Sequence, residues 1–458
     1  MSDTVFKLPH TPSALYYAGK GVLERLRAAG HRAFMVGGCV RDMVLGIPPK
    51  EYDITTSATP DEITSLFPRT VPIGASFGVV LVLHEDFQFE VATFRTDVSY
   101  SDGRHPDSVV YSKDEREDVK RRDFTINAML YDPETEEVID YTGGMRDIER
   151  RLLRTIGRPE DRLSEDKLRM LRAVRFSARL GYGIERGARG VIELFAPQIT
   201  QVSRERIRDE IIKMFTQENP GEGLKLLHET GLLEHVLPDV AKMDGVQQPP
   251  EFHPEGDVLT HTRLVLDKLY EYVLEKSGLP PSLELAIGAL LHDVGKPPTF
   301  SVSDRIRFNA HDSVGAEMAV RICRELRFSK KQTERIRDLV RHHLKFKDVL
   351  NMRRSTLKRF LAMPYFEDHL ALHFADCMAS HRNLTAYDYV SAQLEELDEQ
   401  EIRPEPLLTG RDLIEMGYEP GPVFSEILHH IEEAQLQGEV AEKEAAKSIV
   451  RETFPLTT

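Results

Sequence analysis

Apolar side chains at Leu15, Ala18, Val22, Leu23, Leu26 and Ala29 recur at helical spacing, which predicts an amphipathic helix over residues 12–29 that stops near Gly30. The apolar run Ala33-Phe34-Met35 then reads as a strand. Val36-Gly37-Gly38 follows it and opens a short helix with Arg41 in its first turn. After Gly46 and the Pro48-Pro49 turn, Glu51-Tyr52-Asp53-Ile54 is predicted to be extended. Alternation then puts Glu51 and Asp53 on one face and Tyr52 and Ile54 on the other. Thr59-Pro60-Asp61-Glu62 carries the spacing of a capping box with proline at the first helical position, so 60–67 is predicted helical. Gly78–Leu83 reads as a buried strand, turned by Glu85-Asp86 into a second strand from Phe87 to Arg95. From Gly143 to about Lys242 the period is helical. Arg158-Pro159 to Ser164 is expected to be a turn, with Ser164 capping a helix whose buried stripe is Leu168, Leu171, Val174 and Ala178.

Punctuation divides the chain. Residues 96–121 are polar and bear Gly and Pro with one short strand-like run, a length usual for functional or disordered loops. Residues 247–257, QQPPEFHPEGD, and Arg403-Pro404-Glu405-Pro406 look like boundaries. The expected domains are therefore 1–145, an α/β unit, then helical regions over 146–246, 247–402 and 403–458.

The 458 residues allow two to four domains, and a hydrophobic fraction of 41% fits a globular protein. No run of 18 apolar residues exists, and MSDTVFKLPHTP lacks the basic and apolar parts of a secretory leader, so a cytoplasmic protein without a membrane span is expected. Three widely separated cysteines show no metal spacing and no disulfide framework. A net charge of −15 opposes non-specific nucleic-acid binding by the whole molecule. Between Arg146 and Arg179, however, eleven Lys/Arg stand against six Asp/Glu. One basic stripe on an acidic protein favours a compact polyanion recognised by shape.

Candidate chemistry begins with Glu51 and Asp53. Two adjacent carboxylates repel, and a divalent cation removes that cost. Hard oxygen ligands with room for phosphate oxygens suit Mg²⁺. Glycines at a helix start let backbone N–H groups approach phosphate. Glu90 on the second strand is a candidate third carboxylate, its alternative being an ordinary exposed strand residue. Further on, Asp166, Arg169, Arg172 and Arg175 recur every three residues along one helix flank. A third set comprises His261, His292-Asp293, His311, His342-His343 and Asp376, spread over separate helical segments. Imidazole and carboxylate together suit transition metals as well as Mg²⁺.

These strings carry a resemblance. GG-x-x-RD followed by carboxylate-x-carboxylate, Arg121-Arg122-Asp123-Phe124-Thr125-Ile126-Asn127-Ala128-Met129, and Glu165-Asp166-Lys167-Leu168-Arg169-Met170-Leu171-Arg172 resemble the motifs of class II CCA-adding enzymes and bacterial poly(A) polymerases. Relatives usually have Asp at Glu51 and often Pro at Lys167. The histidine set is similar to the HD phosphohydrolase superfamily, with His311 and His343 matching the extra ligands of two-metal members. Leu407–Gly417 looks like the C-terminal segment of tRNA nucleotidyltransferases.

The resemblance implies an α/β plus all-α fold: a DNA polymerase beta-like head (1–145), a helical neck (146–246), an HD domain (247–402) and a helical tail (403–458). It implies template-independent addition of C and A from CTP and ATP to the 3′ end of tRNA, releasing pyrophosphate. Glu51 and Asp53 would hold Mg²⁺. Gly38, Arg41, Arg122, Asp123, Arg172 and Arg175 would bind nucleotide, and Asp166 with Arg169 would read the base. An Asp accepts from the exocyclic amine of C or A, and an Arg donates to the adjacent ring nitrogen. His261, His292, Asp293, His311, His343 and Asp376 would hold a second divalent metal (Mn, Ni, Co or Fe) for phosphoester hydrolysis. Poly(A) synthesis and addition of CC or A alone are alternatives. So is an HD nucleotide phosphohydrolase whose first domain only binds nucleotide. Ile73-Gly74-Ala75-Ser76-Phe77-Gly78 is more like the CCA-adding group, and the long 96–121 loop opposes a CC-only enzyme. Whether the chain is a monomer or homodimer stays open.

Overall fold

The computed structural model describes residues 13–74, 78–98 and 108–456. The centres of the 96–121 loop and of the Ile73–Gly78 string lie outside the described residues, as does the N-terminal segment before Ser13. The chain forms two compact units, Met1–Ala241 and Lys242–Thr458.

Helix α1 (Ala14–Ala28), capped by the Ser13 hydroxyl, packs Val22, Leu23 and Leu26 onto a sheet that has seven strands among the described residues. These are β1 (Ala33–Val36), β2 (Asp53–Thr56), β3 (Thr70–Gly74), β4 (Val79–His84), β5 (Phe87–Thr93), β8 (Leu130–Asp132) and β9 (Glu137–Ile139), and their order is β3-β4-β5-β2-β1-β8-β9. Only β2 and β5 among these neighbours run parallel. Strands β1 and β8 each serve two cores, because alternate residues face opposite sides. Met35, Ile54, Val80, Phe89 and Val91 meet α1, α2 (Gly38–Val44) and α3 (Pro60–Leu66). Phe34, Val36 and Leu130 meet Val119 of α4 (Glu115–Lys120) on the other side. The α3 start has the expected capping box, with Thr59 and Glu62 bonded reciprocally.

Three expectations are corrected. Strand β2 begins at Asp53, so Glu51 is exposed and precedes the ladder, although Tyr52 and Ile54 do turn inward as alternation requires. Residues 96–121 hold more regular structure than one strand: β6 (Arg95–Val98) pairs with β7 (Ser108–Tyr111), and α4 follows. Proline at the first position makes 159–165 a helix rather than a turn.

After α5 (Gly144–Glu149), that helix is α6 (Pro159–Glu165). Asp166, in extended conformation, ends it, and α7 (Leu168–Leu180) starts two residues later, so Ser164 caps nothing. Helix α7 lies between α9 (Arg204–Phe215) and α10 (Pro220–Glu229), with α8 (Arg186–Phe195) against α6 and the short α11 (Leu233–Val236) and α12 (Pro238–Ala241) closing the unit. Two short parallel strands, β10 (Leu152–Leu153) and β11 (Gly183–Ile184), clip α7 to the preceding turn.

The second unit is helical apart from the hairpin of β12 (Phe300–Val302) and β13 (Ile306–Phe308). Its first part comprises α13 (Val258–Ser277), α14 (Leu283–Leu291), α15 (Lys296–Thr299), α16 (His311–Glu325), α17 (Lys330–His342), α18 (Arg354–Leu361) and α19 (Phe366–Ala379). There follow α20 (Thr385–Glu396), α21 (Glu399–Ile402), α22 (Gly410–Glu415), α23 (Pro422–Gln437) and α24 (Lys443–Thr453), the last three around Leu413, Tyr418, Ile427 and Val450.

Gly295 lets the turn after α14 touch α16. A Cβ there would collide with the His311 carbonyl oxygen and lie 2.6 Å from the Gly315 nitrogen. Gly190, exposed on α8, has nothing within 4 Å of such a Cβ. Gly295→Ala is therefore expected to destabilise the second unit by about 1–3 kcal/mol or more. Gly190→Ala should stabilise the first by about 0.5–1 kcal/mol. Urea unfolding followed by circular dichroism distinguishes the two effects.

Candidate functional site

In the first unit the site forms where β1 gives way to α2. Gly37 has φ +85°, a conformation that costs a side-chain-bearing residue, and its N–H end of α2 opens toward Asp53 and Arg122. A Cβ on Gly37 would lie 3.5 Å from both Asp53 Oδ2 and Arg122 Nη1, so the glycine marks the gap between that carboxylate and that guanidinium. Asp53 pairs across the ladder with Val36, and the parallel β2–β5 register sets Glu90 beside it on the next strand. Burial pushes the Asp53 carboxyl up to about 6, with Glu51 and Glu90 adding repulsion and Arg122 opposing them. Glu51, though outside the strand, thus acts on Asp53 across the site mouth. Glu51 and Glu90 are the carboxylates near Asp53 that could share a divalent cation with it.

The arginines are less open than their spacing implied. Arg41, fourth residue of α2, is buried. Its Nε and Nη2 donate to Asp42 Oδ1 at 2.9 and 2.7 Å and its Nη1 to Asn127 Oδ1 at 2.6 Å, so it braces the loop rather than facing solvent. Gly38 is the first residue of α2. Arg122 Nη2 donates to the fully buried Asp118 at 3.1 Å, while Arg122 Nε is buried without a hydrogen bond. Asp123 is buried. Its oxygens accept from the Phe124 amide, Asn127 and Arg172, the last at 2.7 Å. Burial works against its charge, but Arg172 and then Arg169 hold its carboxyl down at about 2. Both oxygens are therefore engaged by protein.

Along α7 a three-residue step turns about 300°, so the flank drifts around the helix. Arg169 and Arg172 stay half-buried, whereas Arg175 rotates into the interior, donating to Glu210 Oε2 at 2.6 Å. The guanidinium carbons of Arg41, Arg172 and Arg175 lie 5.2, 5.2 and 4.1 Å from the centre of the Phe176 ring. The side chains of Asp166 and Arg169 are not bonded to each other, although the Arg169 amide donates to the Asp166 carbonyl at 3.1 Å. Arg206 grips Asp166 with two bonds, 3.1 and 2.7 Å, and Arg169 pairs with Glu165 at 2.5 Å. Asp166 Oδ2 accepts only from Arg206 among the described contacts, which leaves one lone pair for a further donor. Asp118, Arg206 and Glu210 carry these arrangements and were not assigned to the site from sequence.

The second unit gathers its set more tightly. His261, His292, His311 and His343 are buried, and each Nε2 is buried without a hydrogen bond. Three of them donate Nδ1–H to backbone carbonyls: His292 to Ala289, His311 to Phe308 and His343 to Val340, at 2.7–2.8 Å. Those bonds fix the tautomer that leaves a lone pair on Nε2. Asp293 stands between them. Its Oδ2 is 3.3 Å from His292 and 3.9 Å from His261, and its Oδ1 is 3.4 Å from His311 and 3.7 Å from His343. Asp376 Oδ1 lies 3.1 Å from His261 Nε2. His261–His292–Asp376 and Asp293–His311–His343 each bring their ligand atoms within 4.8 Å of one another. A carboxylate with one oxygen toward each triad fits two neighbouring divalent ions. Burial works against charge on Asp293, but Lys296 first, then His292 and His311, holds it well below the carboxylate range. Burial pushes His343 down to about 3, keeping the neutral imidazole that binds metal. A cavity of about 880 Å³ opens beside Asp293, His311 and His343, walled also by Phe308, Lys347 and the Pro249–His253 segment.

The family models agree with this layout. A poly A polymerase head domain matches residues 33–154, a probable RNA and SrmB-binding site of polymerase A matches 181–243, and an HD domain matches 258–365. Curated proteins similar to it include the CCA-adding enzymes of Geobacillus thermodenitrificans, 44% identical over 222 residues, and of Enterococcus faecalis, 44% identical over 209. Those stretches cover 48% and 46% of this chain and 54% and 51% of the relatives, so the chain spans about half the length of the curated relatives it matches. Among solved structures, the Bacillus stearothermophilus CCA-adding enzyme in complex with CTP aligns with TM-score 0.72 and 26% identity, covering 96% of this chain and 99% of that one. The Thermotoga maritima CCA-adding enzyme complexed with tRNA shares the fold at TM-score 0.61 and 18% identity, covering 98% of each chain. This nucleotidyltransferase fold implies a divalent metal. Among the described residues no helix is long and apolar enough to cross a membrane.

The raised Asp53 pKa gives a signed expectation. A carboxyl that titrates higher when folded than unfolded adds stability at low pH and loses it as pH rises through about 6. Without metal, Asp53→Asn should therefore melt like the parent near pH 4 and be more stable at pH 8, by up to about 3 kcal/mol. Millimolar Mg²⁺ should reverse the order at pH 8 by stabilising only the parent. Thermal melts across pH, with and without the ion, measure both effects.

Proposed function

We propose that this protein adds C and A from CTP and ATP to the 3′ end of tRNA and releases pyrophosphate. The observation that carries the reading is Asp53 facing Arg122 across Gly37, with Glu51 and Glu90 alongside. Glu51 and Asp53 would hold Mg²⁺, which when bound lowers the pKa of the attacking hydroxyl and neutralises triphosphate charge. The terminal 3′-oxygen of the RNA forms a bond to the α-phosphorus, the bond to pyrophosphate breaks, and the hydroxyl proton leaves to solvent. Arg122, with its unpartnered Nε, and the N–H groups at Gly38 orient the triphosphate. The Asp166 oxygen with a spare lone pair accepts the exocyclic amine of C or A, and Arg169 donates to the ring nitrogen after leaving Glu165. Asp123, Arg41, Arg172 and Arg175 hold that framework. On this reading residues 1–145 are the head, 146–246 the neck, 247–402 the HD domain and 403–458 the tail, in a cytoplasmic enzyme.

The second centre supports an additional hydrolysis of a phosphomonoester or cyclic phosphodiester at tRNA ends. Imidazole Nε2 atoms that point at one carboxylate favour Mn, Ni, Co or Fe over Mg²⁺ alone.

Incubation with tRNA lacking CCA, tRNA ending in CC, unrelated RNA and each labelled nucleotide tests the reading. C, C and A should be incorporated in order and then stop. Runs of A on unrelated RNA would favour a poly(A) polymerase, addition confined to C or to A a partial enzyme, and no incorporation an HD hydrolase. Glu51→Ala with Asp53→Ala should lower incorporation on the order of 10²-fold or more. Asp166→Ala should blunt the choice of C and A over U and G while leaving the protein folded.

A further inference from the structure

The Pro/Gly-rich stretch between the units' helices is not a slack connector. Both its ends are pinned: the Gly245 amide donates to Asp257 Oδ2 at 2.6 Å, and the Val258 amide to the Val246 carbonyl at 3.1 Å. Asp257 also caps α13 through the Thr260 amide. Inside the loop, the Phe252 and His253 amides both bond the Pro249 carbonyl. Closed ends around a compact interior describe an Ω-loop. This one lies against the histidine centre. Gln248 Oε1 accepts from Lys296 Nζ at 2.6 Å, and Pro249–His253 line the cavity. Glu255 Oε1 accepts from His261 Nδ1 at 2.7 Å and from His253 Nδ1 at 2.9 Å, while Glu255 Oε2 is buried without a hydrogen bond.

His261 is thus unlike the other three. Their Nδ1 groups meet neutral carbonyls of their own helical segments, whereas His261 meets a carboxylate from the loop. A carboxylate on the far nitrogen makes an imidazole a stronger metal donor and fixes its ring plane. We propose that Glu255 is a positioning residue of the HD centre, raising the affinity of the His261–His292–Asp376 position for a divalent transition metal. The inference rests on the HD reading above. His253, its ring edge-on to His261 with centroids 4.9 Å apart, keeps the Glu255 oxygen in line.

The test is Co²⁺ titration of the full chain, followed by the visible band of histidine-bound Co²⁺, with His292→Ala as the blank for metal held elsewhere. Glu255→Gln, which keeps shape and drops charge, and Glu255→Ala should each weaken the histidine-dependent Co²⁺ affinity about 10- to 100-fold and shift the band. Their metal-free melting curves should match the parent. Parental affinity and band in either folded variant would overturn the proposal while leaving the HD reading intact. Unfolding of both variants without metal would assign Glu255 to the fold and overturn it too. A parent chain with no histidine-dependent band would remove both the HD reading and this inference.

Discussion

Charge taken out of water must find a partner close by, and that requirement organises the first unit. Asp118 holds Arg121 and Arg122, Asp123 holds Arg172, Glu210 holds Arg175, and Asp42 holds Arg41. Asp123–Arg172 and Glu210–Arg175 tie α7 to the segment after α4 and to α9, while the Asp118 and Asp42 pairs are local to α4 and α2. The buried pairs contribute geometry more than net stability, since desolvation offsets much of their attraction. What they secure is that Arg122 and Asp53 remain on opposite sides of Gly37. Asp53 itself has no ion pair of this kind among the described residues, and burial, then Glu51, raises its pKa.

The second unit solves the same problem differently. Asp293 is buried among four imidazoles whose Nε2 atoms carry no hydrogen bond, and Lys296 supplies a compensating positive group. Here the backbone does much of the aiming, because carbonyls at Ala289, Phe308 and Val340 each set one ring. A centre aimed by helix ends is rigid wherever those helices are. The loop-borne Glu255 places one ligand under control of a segment that can vary separately.

Much of this was legible in the residues. Alternation correctly turned Tyr52 and Ile54 inward, Thr59 and Glu62 announced a helix start, and the histidine set was recognisable across more than a hundred residues of separation. Local patterns did not show which charged side chains would be buried. Arg41, Arg175 and Asp123 have polar identities but buried addresses, which only their partners Asn127, Glu210 and Arg172 explain. Proline misled at Pro159, where it opened a helix read as a turn.

Phe176 sits beneath three guanidinium groups and edge-on to Phe124, with ring centroids 6.0 Å apart. Like charges so near one another would splay apart in a purely aliphatic setting. The electron-rich face of the ring attracts all three, each contact contributing about 0.5–2 kcal/mol. A leucine would fill only part of that space and would forfeit the quadrupole. Aromaticity at this one position is therefore an electrostatic requirement, and the arginine comb on α7 owes its spacing to a hydrocarbon.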